Sequence, residues 1–382
     1  MLTMHPTLLI GPYDWDCQRL PESEFRERIK AFWEKTPDST ISSTIVYGDS
    51  RNHAELMYLS NFLPKLGPAL LLVPRNGEPT LLVSGAPNML SAARRMTWIE
   101  KTQPLGDPAK SLLQWMSDCG NPSGTLSSLK TCVIGGEFMR GALHKSISEV
   151  FAAQGSLIDD TSKLRALMRR KRAVELKLIR GACAILTAAT IALAKAKASG
   201  ASVTAAIIEA ESAARHAGAQ DIRTLISLDG GRTLRPFEQL IDRTADPLQA
   251  YLAVRYAGYW AEGFLRLVDS ADEITAKASG ALDTMISRSQ PGTRSRDLVR
   301  IMEEAIHPYT AHPLTAASIG NSIGLSLTEE PGLSASHDDI IEAGCLYTIR
   351  VGATDELDHH AIMSAMIHVQ ENDSEVLWSA LR

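Results

Sequence analysis

The chain has 382 residues, of which 45% are hydrophobic, 22% charged and 5% aromatic, with a formal net charge of −5. That balance excludes a largely disordered chain, and the acidic net charge argues against a general nucleic-acid binder. The length allows two or three domains, and with so few rings the packing must rest on Ala, Leu and Ile.

Residues 1–160 read as a mixed α/β domain. Residues 41–47 and 131–134 are expected strands. The clearest local signal spans residues 67–84, where apolar runs at 69–73 and 80–83 flank Asn76-Gly77. Asn and Gly both tolerate positive φ, so this reads as a hairpin. Helices are expected at 109–117 and 143–153. The basic stretch at 159–171 reads as a linker or a helix start, with its charges on a solvated face.

Beyond it the pattern becomes helical. Leu178, Ala182, Ile185, Ala189 and Leu193 recur at helical spacing, and Lys195 and Lys197 suit a C-terminal turn ending near Gly200. Ser202 is placed to cap a second helix carrying Ile207, Ala210 and Ala214, stopped by Gly218. Two further helices carry Ile274, Ala278, Leu282 and Met285, and then Leu298, Ile301, Met302 and Ala305 after Ser295. Strands are expected at 224–228, 250–256, 263–268, 346–351 and 362–369. Helix pairs alternating with groups of strands imply an α+β domain with helices on one side of a curved antiparallel sheet.

The apolar stretch at 182–194 falls short of the ~20 residues that span a bilayer. The N-terminus has no basic segment before its short apolar run, so no signal peptide is expected. The five cysteines include no CxxC pair, so neither a disulfide framework nor a zinc knuckle is expected. A soluble, cytoplasmic protein follows, with no membrane and no nucleic-acid partner. Asp229-Gly230-Gly231-Arg232-Thr233 lacks the Gly-Lys-Ser/Thr ending of a phosphate loop. There is no dinucleotide fingerprint and no GxSxG elbow, and no cofactor is expected.

Four segments in the C-terminal half resemble, in order, those of the pita-bread family of creatinase, prolidase, aminopeptidase P and methionine aminopeptidase. They are LRALMRRKRAVELKLIRGACAI, DPLQAYLAVRYAGYWAEGFLRLV, SIGNSIGLSLTEEPGL, and IEAGCLYTIRVG with AIMSAMIHVQENDSEVLW. They cover about residues 160–382; NHAELMYLSNF is a looser match to the creatinase-type N-domain. The resemblance implies a smaller α/β N-terminal domain at 1–160 and a pita-bread domain with a curved antiparallel sheet at 161–382. It also implies a homodimer, with the N-domain of one subunit near the pocket of the other.

The metallopeptidases of this family hold two metal ions with two Asp, one His and two Glu. The matching positions here are Tyr251, Glu262, Asn321, Arg350 and Ser364. Only Glu262 is a carboxylate, and Arg350 brings a positive charge, so the dinuclear site is expected to be absent. A lone metal at Asp358-His359-His360 with His368 is a weaker alternative, since adjacent strand residues face opposite sides. Creatinase works without metal, but the position of its general acid–base His falls at about Phe237, so its proton shuttle is not implied either.

The resemblance leaves Glu262 as the first acid–base candidate and Glu329, in LTEEPGL, as the second. Arg350 is a carboxylate anchor, or else the partner of Glu262 in an ion pair that replaces the metals. Asn321, Ser364 and Tyr251 are candidate hydrogen-bonding groups for substrate, while Phe237 and Trp260 would shape an apolar or aromatic pocket. Three functions follow. The first is a metal-independent hydrolase of a C–N bond in a small amide, amidine or amino-acid or peptide derivative carrying a carboxylate. The second is a non-catalytic pseudo-peptidase that binds a ligand or serves as a scaffold. The third is an Xaa-Pro peptidase with altered metal ligands. A direct Glu262–Arg350 contact favours the second.

Overall fold

The computed structural model describes residues 14–118, 129–237 and 240–380. The chain divides into two compact units, Met1–Met168 and Arg169–Arg382. The division falls at the end of a helix, Thr161–Arg169, in the stretch that the sequence left open between linker and helix.

The first unit is built on β1 (Ile41–Gly48), β2 (Ala69–Pro74), β3 (Thr80–Val83), β4 (Lys101–Pro104), β5 (Leu129–Ile134) and β6 (Gly155–Asp159). They form one sheet in the order β4-β3-β2-β1-β5-β6. The expected hairpin is β2–β3, with Ala69 opposite Val83 and Gly77 at φ 123° in its loop. Helices Pro108–Asp118 and Gly141–Gln154 lay Leu112, Trp115, Ile147 and Phe151 on Ile45, Leu70, Leu72 and Leu82 of this sheet. Continuous apolar runs such as ALLLVP are what a strand buried on both faces requires.

In the second unit, α1 (Ala173–Ala198) and α2 (Val203–His216) run as the periodicity predicts, and Ser202 Oγ caps α2 by accepting from the Ala205 N–H. At 26 residues α1 is twice the expected apolar stretch, and by length and composition it could cross a membrane. Here it is a core helix. Leu178, Ala182, Ile185, Ala189 and Leu193 form its buried side, against α2 and the first sheet.

That sheet has the order β10-β9-β7-β8, from β7 (Asp221–Ser227), β8 (Arg235–Pro236), β9 (Leu248–Tyr256) and β10 (Tyr259–Leu267). Strand β10 starts four residues before the expected 263, because Ala257 and Gly258, at φ 47° and 88°, turn the chain back at once. Next come α3 (Glu273–Arg288) and α4 (Ser295–Ile306). The second sheet gathers β11 (Thr310–Ala311), β12 (Gly320–Ser322), β13 (Glu329–Leu333), β14 (Leu346–Thr354), β15 (His360–Val369) and β16 (Ser374–Ser379). On one face, Tyr347, Ile349, Val351, Met363 and Ala365 pack with Leu282, Met285, Leu298 and Met302 of α3 and α4.

The two sheets meet at β10 and β15. Buried Gln249 ties the seam: its Nε2 donates to the Leu265 and Ile362 carbonyls at 2.9 and 2.8 Å, and its Oε1 accepts from the Ile362 N–H at 3.0 Å. A buried amide satisfied three times over fixes the register there. Helices thus cover one face of each sheet, and strand alternation turns Tyr251, Glu262, Arg350 and Ser364 to the other.

Candidate functional site

Four of the five positions expected from the resemblance form one hydrogen-bonded cluster. Tyr251 on β9 and Phe264 on β10 are register partners with ring centroids 4.6 Å apart. Two residues before Phe264, and so on the same face, stands Glu262, 2% exposed. The Tyr251 hydroxyl donates to Glu262 Oε2 at 2.6 Å. Arg350 Nη2 donates to Glu262 Oε1 at 2.5 Å and to Asn321 Oδ1 at 2.8 Å. The Arg350 guanidinium also lies 5.7 Å from the Phe264 ring centre. Burial first, and then the Glu262 charge, push the Tyr251 phenol far above its usual range, so it remains a proton donor.

The polar groups of the cluster are largely spent. Asn321 Nδ2 donates to the Ser322 and Leu327 carbonyls at 2.6 and 3.0 Å, and its Oδ1 belongs to Arg350, which leaves it no part in polarising a substrate. Ser364, opposite Arg350 in the ladder and fully buried, accepts from the Phe264 N–H at 2.8 Å across the sheet seam. Arg350 Nε is buried without a hydrogen-bond partner.

These residues do not fit two metal ions. The cation at the centre is a guanidinium already bonded to the one carboxylate, beside a neutral phenol and a spent amide. Among the described residues no three His, Cys, Asp or Glu side chains could hold a metal ion together. The alternative site therefore dissolves. His359 Nδ1 bonds Asp355 at 2.8 Å, His360 packs edge-on to His312 with ring centroids 5.1 Å apart, and His368 lies 3.5 Å from Glu375.

Glu329, opposite Ser322 in the ladder, makes no hydrogen bond to the cluster among the described residues and bonds within its own loop and to Lys171. Its Oε2 pairs with Lys171 Nζ at 2.7 Å, and its Oε1 accepts from the Leu325 and Ser326 N–H groups at 2.7 and 3.3 Å. A carboxylate held this way fixes the loop between β12 and β13. Phe237 follows β8, three strands from β10, or about 14 Å at ordinary strand spacing. It lines a separate cavity of about 510 Å³ with Ile226, Leu228 and Ile241, and not the cluster. Trp260 shares the face of Glu262, but its buried ring carries two guanidiniums, with Arg223 Cζ at 4.7 Å and Arg255 Cζ at 5.1 Å from the centroid. It is an aromatic surface on which cations rest.

Sequence reasoning missed Arg223, Arg255 and Phe264. The alternation Asp221, Arg223, Leu225 along β7 was the available signal, since it puts these side chains on the Tyr251 face. The cysteines behave as expected: Cys17 is exposed, Cys132, Cys183 and Cys345 are buried and free, and Cys119 lies outside the described residues.

No family model matches the sequence, and no curated protein matches it significantly. Solved structures do match. The prolidase of Pyrococcus horikoshii is similar at TM-score 0.73 and 17% identity, over 92% of this chain and 97% of that one. The X-Pro aminopeptidase of Thermotoga maritima gives TM-score 0.73 and 16% identity, over 92% and 97%. The Xaa-Pro dipeptidase of Bacillus anthracis gives 0.71 and 17%, again over 92% and 97%. The chain has the α+β pita-bread fold of these proteins, preceded by their smaller α/β N-terminal domain.

Proposed function

We propose that this chain is a peptidase-like protein that binds a small molecule or short peptide carrying a carboxylate, and does not hydrolyse it. One observation carries the reading: the 2.5 Å contact between Arg350 Nη2 and Glu262 Oε1. It matches the one carboxylate with the one central cation, and Tyr251 occupies the other oxygen. A Glu whose two oxygens are each engaged, one by a guanidinium and one by a phenol, has its charge matched and is a weaker base toward a water or a leaving group. What the site retains is binding capacity. Arg350 Nε is an unmet buried donor, and of the guanidiniums on the face Arg350 meets Glu262, Arg255 meets Asp221 and Arg266 meets Asp272, while Arg223 has no such carboxylate among the described residues. An anion carrying an acceptor group suits that surplus.

The second reading, a metal-independent hydrolase of a C–N bond, draws on the similar structures being prolidases and Xaa-Pro peptidases, and on Glu262 being a buried carboxylate. It needs Arg350 to release Glu262 when substrate arrives. Calorimetric titration of Gly-Pro into the protein, followed by chromatography of the mixture, separates the two. Saturable binding with the dipeptide recovered intact is expected. Proline release that Glu262→Gln abolishes overturns the binding-only reading in favour of the hydrolase. Pairing of two copies belongs to the same proposal and is read by light scattering.

A further inference from the structure

We infer that Arg223 is the residue that takes the ligand's carboxylate, with Arg350 Nε taking a neutral carbonyl oxygen a few atoms away. The ligand class is then a monoanion of the N-acyl amino-acid type. This rests on the carboxylate-binding reading above and assigns its chemistry to residues.

The registers of β10, β9 and β7 lay out the face as four rows. They are Trp260–Arg255–Asp221, Glu262–Ala253–Arg223, Phe264–Tyr251–Leu225 and Arg266–Gln249–Ser227. Arg266 is paired with Asp272 at 2.9 Å, and the other three guanidiniums each have a different status. Arg350 has its charge matched by Glu262 at 2.5 Å. Arg255 is buried and faces Asp221 at 3.5 Å. Arg223 is exposed, and its one contact among the described residues is with the Trp260 ring, 4.7 Å from Cζ. The methyl side chain of Ala253 lets Arg223 lie diagonally toward Trp260 in this way.

The surplus positive charge of the face is therefore located at Arg223. A guanidinium stacked on a ring keeps its in-plane N–H fork free and oriented, which suits two-point recognition of a carboxylate. Arg350 offers something different. A second anion placed there would meet Glu262, whereas a carbonyl oxygen accepts from the orphaned Nε at no charge cost. Glu262 and Arg223 flank Ala253 in the register, and Arg350 is bonded to Glu262, which places both guanidiniums around one centre. A carboxylate and a carbonyl separated by a few bonds match that arrangement; a dicarboxylate does not.

Calorimetry with N-acetylglycine, N-acetylglycinamide and succinate tests this on the full chain. The expected order has N-acetylglycine tightest, with the amide and succinate each weaker by tenfold or more. Arg223→Gln, an exposed change, should weaken N-acetylglycine at least tenfold and leave the amide unchanged, while Arg223→Lys restores part of the loss. Circular dichroism and melting checks that the variants fold. If N-acetylglycine binds the wild type and Arg223→Gln binds it equally well, this inference is overturned and the broader reading stands. If no carboxylate binds the wild type, the broader reading falls as well.

Discussion

Replacing Arg350 with methionine should cost the second unit much of its stability. The Arg350 side chain is 17% exposed and that of Glu262 3%, so the pair is largely desolvated. Removing the guanidinium strips Glu262 Oε1 and Asn321 Oδ1 of their common donor and leaves a carboxylate with one phenolic hydrogen bond. Breaking a buried pair from one side typically costs about 3–5 kcal/mol. For a unit of this size each kcal/mol lowers the melting midpoint by about 2–4 °C, so a fall of roughly 6–20 °C is expected. Glu262→Gln alone leaves the guanidinium uncompensated and should also destabilise. The double variant Glu262→Gln/Arg350→Met should recover a coupling energy of about 2 kcal/mol or more, since neither charge is then stranded. Urea unfolding of the four proteins completes the cycle. Additive losses below about 1 kcal/mol each would refute the idea that this pair has taken over the structural work of a metal centre.

Tyr251→Phe removes the second hydrogen bond to Glu262 and should destabilise by about 1–3 kcal/mol, measured in the same urea series. Gly263→Ala drives a Cβ into the Trp378 ring, so a loss of about 1–3 kcal/mol or failure to express folded protein is expected. His312 and His360 both have pKa values lowered first by burial, the first then by its neighbour His360 and the second by Arg232. The unfolded chain therefore binds more protons near pH 6, so stability should be complete above the ordinary His range and fall as pH drops below about 6.5. His312→Asn, which can still cap the helix Pro313–Ala317, should flatten that slope in melting curves from pH 7.5 to 5; an unchanged slope counts against the assignment.

What the sequence made legible depended on whether one face of an element meets water. Helices α1 and α2 were readable because their apolar stripe has a 3.6-residue period and Ser202 marks a start. The beginning of β10 was not, because Tyr259–Gly263 is buried on both faces and shows no alternation to read. The cluster itself became visible only through the ordered resemblance, which put Tyr251, Glu262, Asn321 and Arg350 at one place; their mutual hydrogen bonds then follow from four strands in two sheets. Whether Arg350 would seize Glu262 or await a substrate turns on about an ångström of side-chain placement, which spacing along the chain does not encode. Arg223 was hidden for a related reason. On an ordinary half-exposed strand an Arg is solvated surface, and only the register with Ala253 reveals that it reaches Trp260.

The central claim is that a guanidinium–carboxylate contact has replaced the hydrolytic chemistry of the fold. A single-turnover experiment addresses it most directly: protein in excess over Gly-Pro, with and without added Mn²⁺ or Co²⁺, followed by mass spectrometry over a day. The dipeptide should remain intact in every arm. Proline released by the wild type and not by Glu262→Gln, or released on adding metal, would contradict the account.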